Sequence, residues 1–215
     1  MKIIDLTYLI TEDMPVYPGT ERPILAPGNS YEVDGFKETL MTMFTHTGTH
    51  MDPPAHLYAE GATLDQMPVS QFIGKGLVID CSDVSEGGRM TMKHVQRYGD
   101  KADKAEFILF RSGWAQHWGT DRYFGDYPCI DEEVVDFLIK SRKKGIGLDT
   151  IGLDPIADTN LSLHKRLFKY NEIVIIENLA NLHLLNDNLF TFCTLPLKLI
   201  DGDGSPIRAV AILEA

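Results

Sequence analysis

The chain has 215 residues, of which 44% are hydrophobic and 24% charged, a composition typical of a globular protein with one substantial core. Its formal net charge of -11 at pH 7 argues against nucleic acid and anionic membranes as partners, because both bind basic surfaces. A small-molecule substrate is compatible with this charge. Even an anionic substrate could bind, because a bound cation reverses the local electrostatic field.

The N-terminus lacks the pattern of a secretory signal, because Asp5 interrupts a short apolar run. No apolar stretch approaches the ~20 residues of a membrane-spanning helix. The three cysteines are widely spaced and include no C-x-x-C pair, which indicates reduced thiols in a cytoplasmic protein. We expect one domain over residues 1–215, because no repeat, low-complexity segment or linker divides the chain.

Apolar runs between turn residues predict mostly strands, with a few helices among them. The predicted strands, in chain order, cover residues 3–6, 36–52, 76–81, 106–111, 146–148, 173–176, 190–200 and 208–213. The predicted helices follow the capping residues Thr91, Asp131 and Ser162 and reach residues 98, 144 and 169. Strands that outnumber helices and mix with them predict an α/β or α+β domain built on a substantial sheet or barrel.

Several side chains beside these elements have roles that the pattern leaves open. Tyr17 lies in a proline-stiffened loop, where it either walls a pocket or packs down onto the core. Together with Phe36 and Trp114 it could offer a substrate pocket a flat or aromatic surface. Arg111 ends an apolar strand, a position typical both of functional charges and of structural ion pairs.

Residues 45–56 concentrate three of the seven histidines around a carboxylate. Alternating threonines, Gly48 and two prolines argue against a helix here, and in a strand His46, His50 and Asp52 would share one face. A straight strand would hold the two histidine Cα atoms roughly 13 Å apart, too far for one ion, so we expect a bend at Gly48. His56 follows just beyond these candidate ligands. The alternative is a threonine-rich strand with solvated histidines.

Two further residues are candidates with plain alternatives. Glu177 ends a run of four apolar residues, and a buried carboxylate is costly without a cation, although a solvated strand end is the simpler explanation. His164 falls in the first turn of a predicted helix, a position usually found at the surface.

The run His46-Thr-Gly-Thr-His50-Met-Asp52-Pro-Pro-Ala-His56 resembles the signature of the cyclase-type metal-dependent hydrolases, which include bacterial kynurenine formamidases and isatin hydrolases. Further segments resemble parts of that family in the same order: 15–19, 109–114, 146–150 and 196–208. The resemblance implies a compact α/β fold of the swivelling β/β/α kind with a central mixed sheet or barrel, assembled as a homodimer, a tetramer or another homo-oligomer. Tyr17 departs from the tryptophan common in kynurenine formamidases, which leaves the aryl-formyl substrate open.

The same resemblance implies a divalent metal site and an acid or base. The metal ligands it implies are His46, His50, Asp52, His164 and Glu177. His56 takes the role of acid or base, and Asp52 bridges if two ions are present. Imidazole ligands favour zinc, while additional carboxylates would suit manganese.

The residues themselves favour metal-assisted hydrolysis. Two imidazoles and one carboxylate leave a coordination position for water, whose pKa falls from about 16 toward about 7 on a divalent ion. Motifs for a serine nucleophile and for nucleotide binding are absent from the sequence. Our hypothesis is hydrolysis of an amide-type C–N bond, as in an arylformamide such as N-formylkynurenine, by metal-bound hydroxide. The alternatives are a hydrolase of isatin-type cyclic amides or lactones, and a non-catalytic protein with a closed structural metal site.

Overall fold

The computed structural model describes residues 1–169 and 172–214. Its strands are β1 (Lys2–Asp5), β2 (Ile24–Asn29), β3 (Glu38–Thr42), β4 (His50–Asp52), β5 (Ile73–Asp80), β6 (Arg89–Met90), β7 (Phe107–Arg111), β8 (Cys129–Ile130), β9 (Gly145–Leu148), β10 (Val174–Glu177), β11 (Phe190–Cys193), β12 (Ser205–Pro206) and β13 (Val210–Leu213). Its α-helices are α1 (Tyr31–Asp34), α2 (Met92–Gln96), α3 (Asp100–Lys104), α4 (Glu132–Lys140) and α5 (Ser162–Phe168).

Nine strands of the described chain form one mixed sheet in the order β1-β13-β11-β5-β7-β9-β10-β4-β12. The four strands β5, β7, β9 and β10 run parallel in its centre, and the strands on either side of them are antiparallel. Parallel strands covered on both faces consist of nearly continuous apolar residues, which explains the sequences of β7 and β10. The mixed α/β fold predicted from the sequence is confirmed.

Two apolar clusters cover the two faces of the sheet. On one face, α4 and α5 bury Val134, Leu138 and Leu167 against strand residues such as Ile146 and Ile175. On the other face the cluster joins residues of β1 and β4, which lie near opposite ends of the strand order, because the sheet curls around it. Full burial of one such aliphatic side chain contributes about 1.5–3 kcal/mol, so these clusters fix the central strands rigidly.

The single strand predicted over residues 36–52 is wrong. Strand β3 ends at Thr42, the chain bends, and β4 begins only at His50. The bend predicted at Gly48 is confirmed, because this residue has a left-handed φ of 69° that favours glycine. A Cβ atom there would lie 2.8 Å from Met14 Cε, the flexible end of a side chain that can shift, so the backbone conformation is the main reason for the glycine.

Strands β2 and β3 form a separate two-stranded hairpin that is joined by α1. Every residue of β3 is exposed, and α1 buries none of its residues. The hairpin nevertheless carries exposed apolar side chains: Ile24, Tyr31, Val33, Phe36, Leu40 and Met41. These six residues form an exposed apolar hairpin surface, and surfaces of this kind often mark contacts between proteins.

The longest helix of the described residues, α4, has nine residues. None of the described helices combines the length and the apolar character that crossing a bilayer requires.

Candidate metal centre

Strands β4 and β10 place three candidate ligands side by side. They pair antiparallel, with Glu177 opposite His50 and Ile175 opposite Asp52. Because paired residues and alternate residues share a face of a sheet, the side chains of His50, Asp52 and Glu177 all project from the face that α5 covers. All three side chains are buried.

His164 reaches this group from α5 and is buried, so the alternative of a surface histidine is excluded. The carboxylate of Asp154 lies 2.6 Å from His164 Nδ1. The other ring nitrogen, Nε2, lies 3.4 Å from Glu177 Oε1 and 3.7 Å from Asp52 Oδ2. The hydrogen bond at Nδ1 therefore directs Nε2 toward the two carboxylates.

The backbone N–H groups in the first turn of α5 have a different hydrogen-bond acceptor from the one predicted. Ser162 is the first residue of the helix and not its cap, and the residue before it, Leu161, has a left-handed φ of 52° and makes no capping bond. The Asp154 carboxylate accepts hydrogen bonds from the N–H groups of Leu163 (2.7 Å) and His164 (3.1 Å) instead. One carboxylate thus orients the His164 ring and satisfies the first turn of its helix.

His46 and His56 lie near Asp52, closer to the protein surface. His46 Nδ1 is 2.7 Å from Asp52 Oδ1, and its Nε2 is 3.3 Å from the exposed carboxylate of Asp203. His56 ends the 3₁₀ turn Pro54–His56, and its ring centre lies 4.0 Å from that of His46. Both histidines are partly exposed.

The donor atoms form two overlapping groups that share one carboxylate. His46, Asp52 and His56 make one group, and His50, Asp52 and Glu177 make the other, with the ligand atoms of each group within 4.8 Å of one another. His50 Nε2 lies 3.2 Å from Asp52 Oδ1 and 3.5 Å from Glu177 Oε2. Ligand atoms about 2.1 Å from a tetrahedral ion lie about 3.4 Å apart, so this buried donor set fits a divalent cation.

Backbone groups hold two of the buried side chains in place. His50 Nδ1 donates to the Gly48 carbonyl at 2.8 Å, which leaves Nε2 facing Asp52. The Leu153 N–H donates to Glu177 Oε1 at 2.8 Å. Such secondary hydrogen bonds fix the orientation of metal ligands in proteins.

The charges of this cluster shift the pKa values of its histidines upward. Burial alone would lower the pKa of His50, but the carboxylates of Asp52 and Glu177 raise it to about 9. Burial likewise opposes the charged forms of His46 and His164, and neighbouring carboxylates raise the pKa of each. Burial disfavours the charge of Asp52, yet the adjacent histidines hold its pKa well below the usual range. The field at the centre therefore favours a cation.

His56 behaves differently from the other three histidines. Burial lowers its pKa to about 4, and the attraction of Asp52 is outweighed by burial together with the neighbouring histidines. At neutral pH the His56 imidazole is therefore uncharged and has a nitrogen that accepts a proton.

A cavity of about 500 Å³ opens above the donor cluster. Its lining includes His46, His50, Asp52, His56, His164 and Glu177, and its walls are formed by Pro15, Val16, Tyr17, Thr20, Phe44, Ile151, Thr159, Leu161 and Asn178 among others. Tyr17 is 38% exposed and belongs to this lining, which decides between its two predicted positions. The six residues predicted for metal binding and catalysis thus meet at the floor of one cavity.

The structure does not bring Phe36 and Trp114 to this cavity. Trp114 is only 4% exposed, and its indole N–H donates to the Tyr123 carbonyl at 3.0 Å inside an aromatic cluster. Phe36 is 52% exposed and lies next to the hairpin strand β3. The sequence shows which residues are aromatic. Whether such a residue lies in the core or lines a pocket depends on tertiary packing.

Two other charged residues near the strand ends have structural contacts. Arg111 pairs with Asp80 at 3.1 Å, the ion-pair alternative of the sequence analysis. Asp149 accepts hydrogen bonds from the Ser112 N–H, the Ser112 hydroxyl and the Gly113 N–H. The first contact joins the ends of β7 and β5, and the second joins the segment after β7 to the residue that follows β9.

Sequence reasoning missed several cavity residues. Phe44 lies two residues before His46, and Asn178 directly follows Glu177, so adjacency to predicted ligands was an available signal for both. Ile151 and Leu161 lie in loops whose approach to the site depends on tertiary structure.

Comparisons with known proteins agree with this geometry. The sequence model of the Cyclase family matches residues 4–155. The kynurenine formamidase of Bacillus cereus is 31% identical over 96% of this chain and 95% of its own length. The kynurenine formamidase of Bacillus anthracis is 31% identical over 97% of this chain and 96% of its own length.

Solved structures show the same fold. Isatin hydrolase A from Labrenzia aggregata aligns with a TM-score of 0.84 and 27% identity, covering 99% of this chain and 94% of that chain. A structure described as a potential metal-dependent hydrolase with cyclase activity aligns with a TM-score of 0.75 and 27% identity, covering 100% and 99%. The fold, the donor cluster and these relatives define a metal-dependent hydrolase. The chain belongs to the cyclase family, as the resemblance of residues 46–56 predicted.

Proposed function

We propose that this chain hydrolyses an amide-type C–N bond at a centre of one or two divalent ions held by His46, His50, Asp52, His164 and Glu177. The observation that carries the proposal is the convergence of nitrogen and oxygen donors around Asp52 in the lining of one cavity. A divalent ion bound there would supply an activated water and polarise the substrate carbonyl. Imidazole donors favour zinc, and the carboxylates also suit manganese.

His56 is the general acid and base in this proposal. It lines the cavity beside His46, and its imidazole is uncharged at neutral pH because burial and the neighbouring histidines lower its pKa. It takes a proton from the attacking water and passes one to the leaving nitrogen. Such a group contributes roughly 10²- to 10⁴-fold in rate.

The walls of the cavity suit an aromatic amide. Val16, Tyr17, Phe44, Ile151 and Leu161 supply apolar and aromatic surface close to the donor cluster. An arylformamide such as N-formylkynurenine places its ring on these walls and its formyl carbon at the floor. The relatives named kynurenine formamidase support this substrate class.

A small neutral cyclic amide of the isatin type is the second candidate. Among the described residues that line the cavity there is no lysine or arginine, so the carboxylate of an amino-acid side arm would have no cationic side chain to pair with. The similarity to an isatin hydrolase supports this alternative, and Tyr17 leaves the choice open.

The test is turnover of N-formylkynurenine and isatin by purified protein of known metal content, with a simple lactone as a third substrate. We expect a ratio of kcat/KM of at least tenfold in favour of one amide, and loss of turnover after chelation. Metal-loaded protein that hydrolyses neither amide would contradict the proposal.

A closed structural metal site would require different surroundings. Protein atoms would saturate such an ion, whereas here the donor cluster lines an open cavity. Water-proton relaxation of the manganese-loaded protein distinguishes a catalytic from a structural site, because it detects an exchangeable water ligand. Absence of exchangeable water would favour the structural site.

A homo-oligomer, either a dimer or a tetramer, is part of the proposal. The apolar hairpin surface of β2 and β3 supports it, because an isolated hairpin is at best marginally stable in water and a second copy would cover it. Light scattering of the purified chain should give two or more times the monomer mass, and Leu40→Glu should shift it toward the monomer. Lys37→Glu is a polar control on the same hairpin. A monomeric parent protein would contradict the assembly.

A further inference from the structure

Asn178 directly follows the candidate ligand Glu177 on β10 and lies buried against the bend that carries another candidate ligand, His50. We propose that Asn178 is a positioning residue, which fixes the ring nitrogen that His50 presents to the metal centre. The inference rests on the proposed role of His50 as a ligand.

Two donors meet at the Gly48 carbonyl oxygen. His50 Nδ1 lies 2.8 Å from this oxygen, and Asn178 Nδ2 lies 2.9 Å from it. A carbonyl oxygen only accepts hydrogen bonds, so both nitrogens carry hydrogen toward it. In the neutral imidazole the lone pair is then on His50 Nε2, the atom that faces Asp52 and Glu177.

The Asn178 amide has its own orientation fixed from the other end. The hydroxyl of the fully buried Tyr123 donates to Asn178 Oδ1 at 2.7 Å. Since that oxygen is engaged, Nδ2 is the atom turned toward the Gly48 carbonyl. A chain of hydrogen bonds therefore runs from Tyr123 through Asn178 and Gly48 to the His50 ring.

Asn178 also holds the bend through its main chain. Its carbonyl accepts a hydrogen bond from the Thr49 hydroxyl at 2.7 Å, and its N–H donates to the Thr150 carbonyl at 2.9 Å. Two successive residues of the bend, Gly48 and Thr49, are thus attached to one residue beyond β10. The left-handed φ of Asn178, 57°, lets its side chain and main chain reach both at once.

This attachment matters because the bend lies outside the sheet. Residues 43–49 separate β3 from β4, and the pairing of β4 with β10 begins at His50. Within the described chain, Thr49 is the only one of residues 43–49 with a backbone–backbone hydrogen bond, which its carbonyl accepts from the Ile207 N–H at 3.0 Å. Asn178 connects the end of β10, which carries Glu177, to the bend, whose Gly48 carbonyl orients the His50 ring. The two ligands are therefore positioned as one unit.

Asn181 offers a matched control three residues along the chain. It has nearly the same backbone conformation, with φ of 58°, and its Nδ2 also donates to a backbone carbonyl, that of Asp5, at 3.0 Å. It does not belong to the lining of the cavity. Asn178→Leu and Asn181→Leu thus both remove a side-chain donor to a backbone carbonyl at a residue with a left-handed φ.

The experiment measures Co²⁺ and Zn²⁺ dissociation constants by chelator competition, with the visible absorption spectrum of the Co²⁺ protein and thermal unfolding alongside. Asn178→Leu should weaken metal binding about 10- to 100-fold and alter the Co²⁺ spectrum. Asn181→Leu should leave both at the parent values. Equal metal affinity and spectra for Asn178→Leu and the parent would overturn the inference, and so would equal weakening by Asn181→Leu.

Tyr123→Phe keeps the test decisive if Asn178→Leu does not fold. It removes only the hydroxyl that orients the amide, and we expect a smaller loss of metal affinity in the same direction, about threefold to tenfold, with the altered Co²⁺ spectrum. Parent-like affinity in Tyr123→Phe, when Asn178→Leu is unfolded, would overturn the inference. A parent protein that binds no metal would overturn the proposed function as well, whereas a metal-binding parent with unaffected variants overturns the positioning role alone.

Discussion

The residues around Asp52 form a buried inner side (His50, His164 and Glu177) and a partly exposed rim (His46 and His56), which differ in support. On the inner side, His50, His164 and Glu177 are buried, and each accepts or donates a further hydrogen bond that orients it. On the rim, His46 and His56 are partly exposed and lie in a bend and a 3₁₀ turn. The inner side therefore suits a cation held in fixed geometry, and in the proposed function the rim meets the substrate and exchanges protons.

The strongest test of this comparison removes the carboxylate that both sides share. Asp52→Asn keeps the shape of the side chain but removes the charge common to the two donor groups. We expect loss of essentially all bound metal and at least a 10³-fold fall in kcat/KM. Metal content by mass spectrometry and steady-state kinetics provide the measurement, and a variant that keeps stoichiometric metal would count against a shared ligand.

On the rim, His56→Gln should separate chemistry from metal binding. The variant is expected to retain metal and to lose roughly 10²- to 10⁴-fold in kcat, because the proton acceptor is gone. The exposed His183→Gln is the control and should have the parent rate. If His56→Gln lost its metal instead, His56 would be a ligand with His46 and Asp52, as their proximity allows.

On the inner side, Asp154→Asn should weaken metal binding without touching a metal donor. It replaces the carboxylate that accepts from His164 Nδ1, and removal of such a partner costs about 10- to 100-fold in metal affinity. Asp158→Asn is matched, because Asp158 accepts from the Ser162 N–H at the start of the same helix and makes no contact with the ring. Equal metal dissociation constants for the two variants would show that only the helix start matters.

The smallest effect is expected at the outermost charge. Asp203 lies 3.3 Å from His46 Nε2 but is exposed, and exposed ion pairs contribute about 0–1 kcal/mol. Asp203→Asn should change metal affinity and kcat/KM by less than about threefold. A tenfold or larger change in titrations of the purified variant would mean that the rim is as tightly organised as the inner side.

Much of the centre could be predicted because its residues are close in sequence or end apolar runs. The bend at Gly48 followed from the distance between two histidines, and β7 and β10 followed from continuous apolar residues. The roles of the individual ligands stay predictions that the variants above test.

The misses come from contacts between residues far apart in sequence. Ser162 has the chemistry of a helix cap, but Asp154 occupies the first turn of α5 from a loop outside the helix. Trp114 has the chemistry of a pocket wall, but an aromatic cluster buries it. In both cases the local propensity was sound, and tertiary packing decided the outcome.

The position of β4 in the sheet has a consequence for biosynthesis. This three-residue strand is held between β10 and β12, and Pro206 of β12 pairs with His50 across more than 150 residues of chain. Synthesis must therefore have passed residue 206 before β4 has both of its neighbours. We expect nascent chains that stop before residue 205 to bind metal poorly, because β4 then lacks one of its two neighbouring strands.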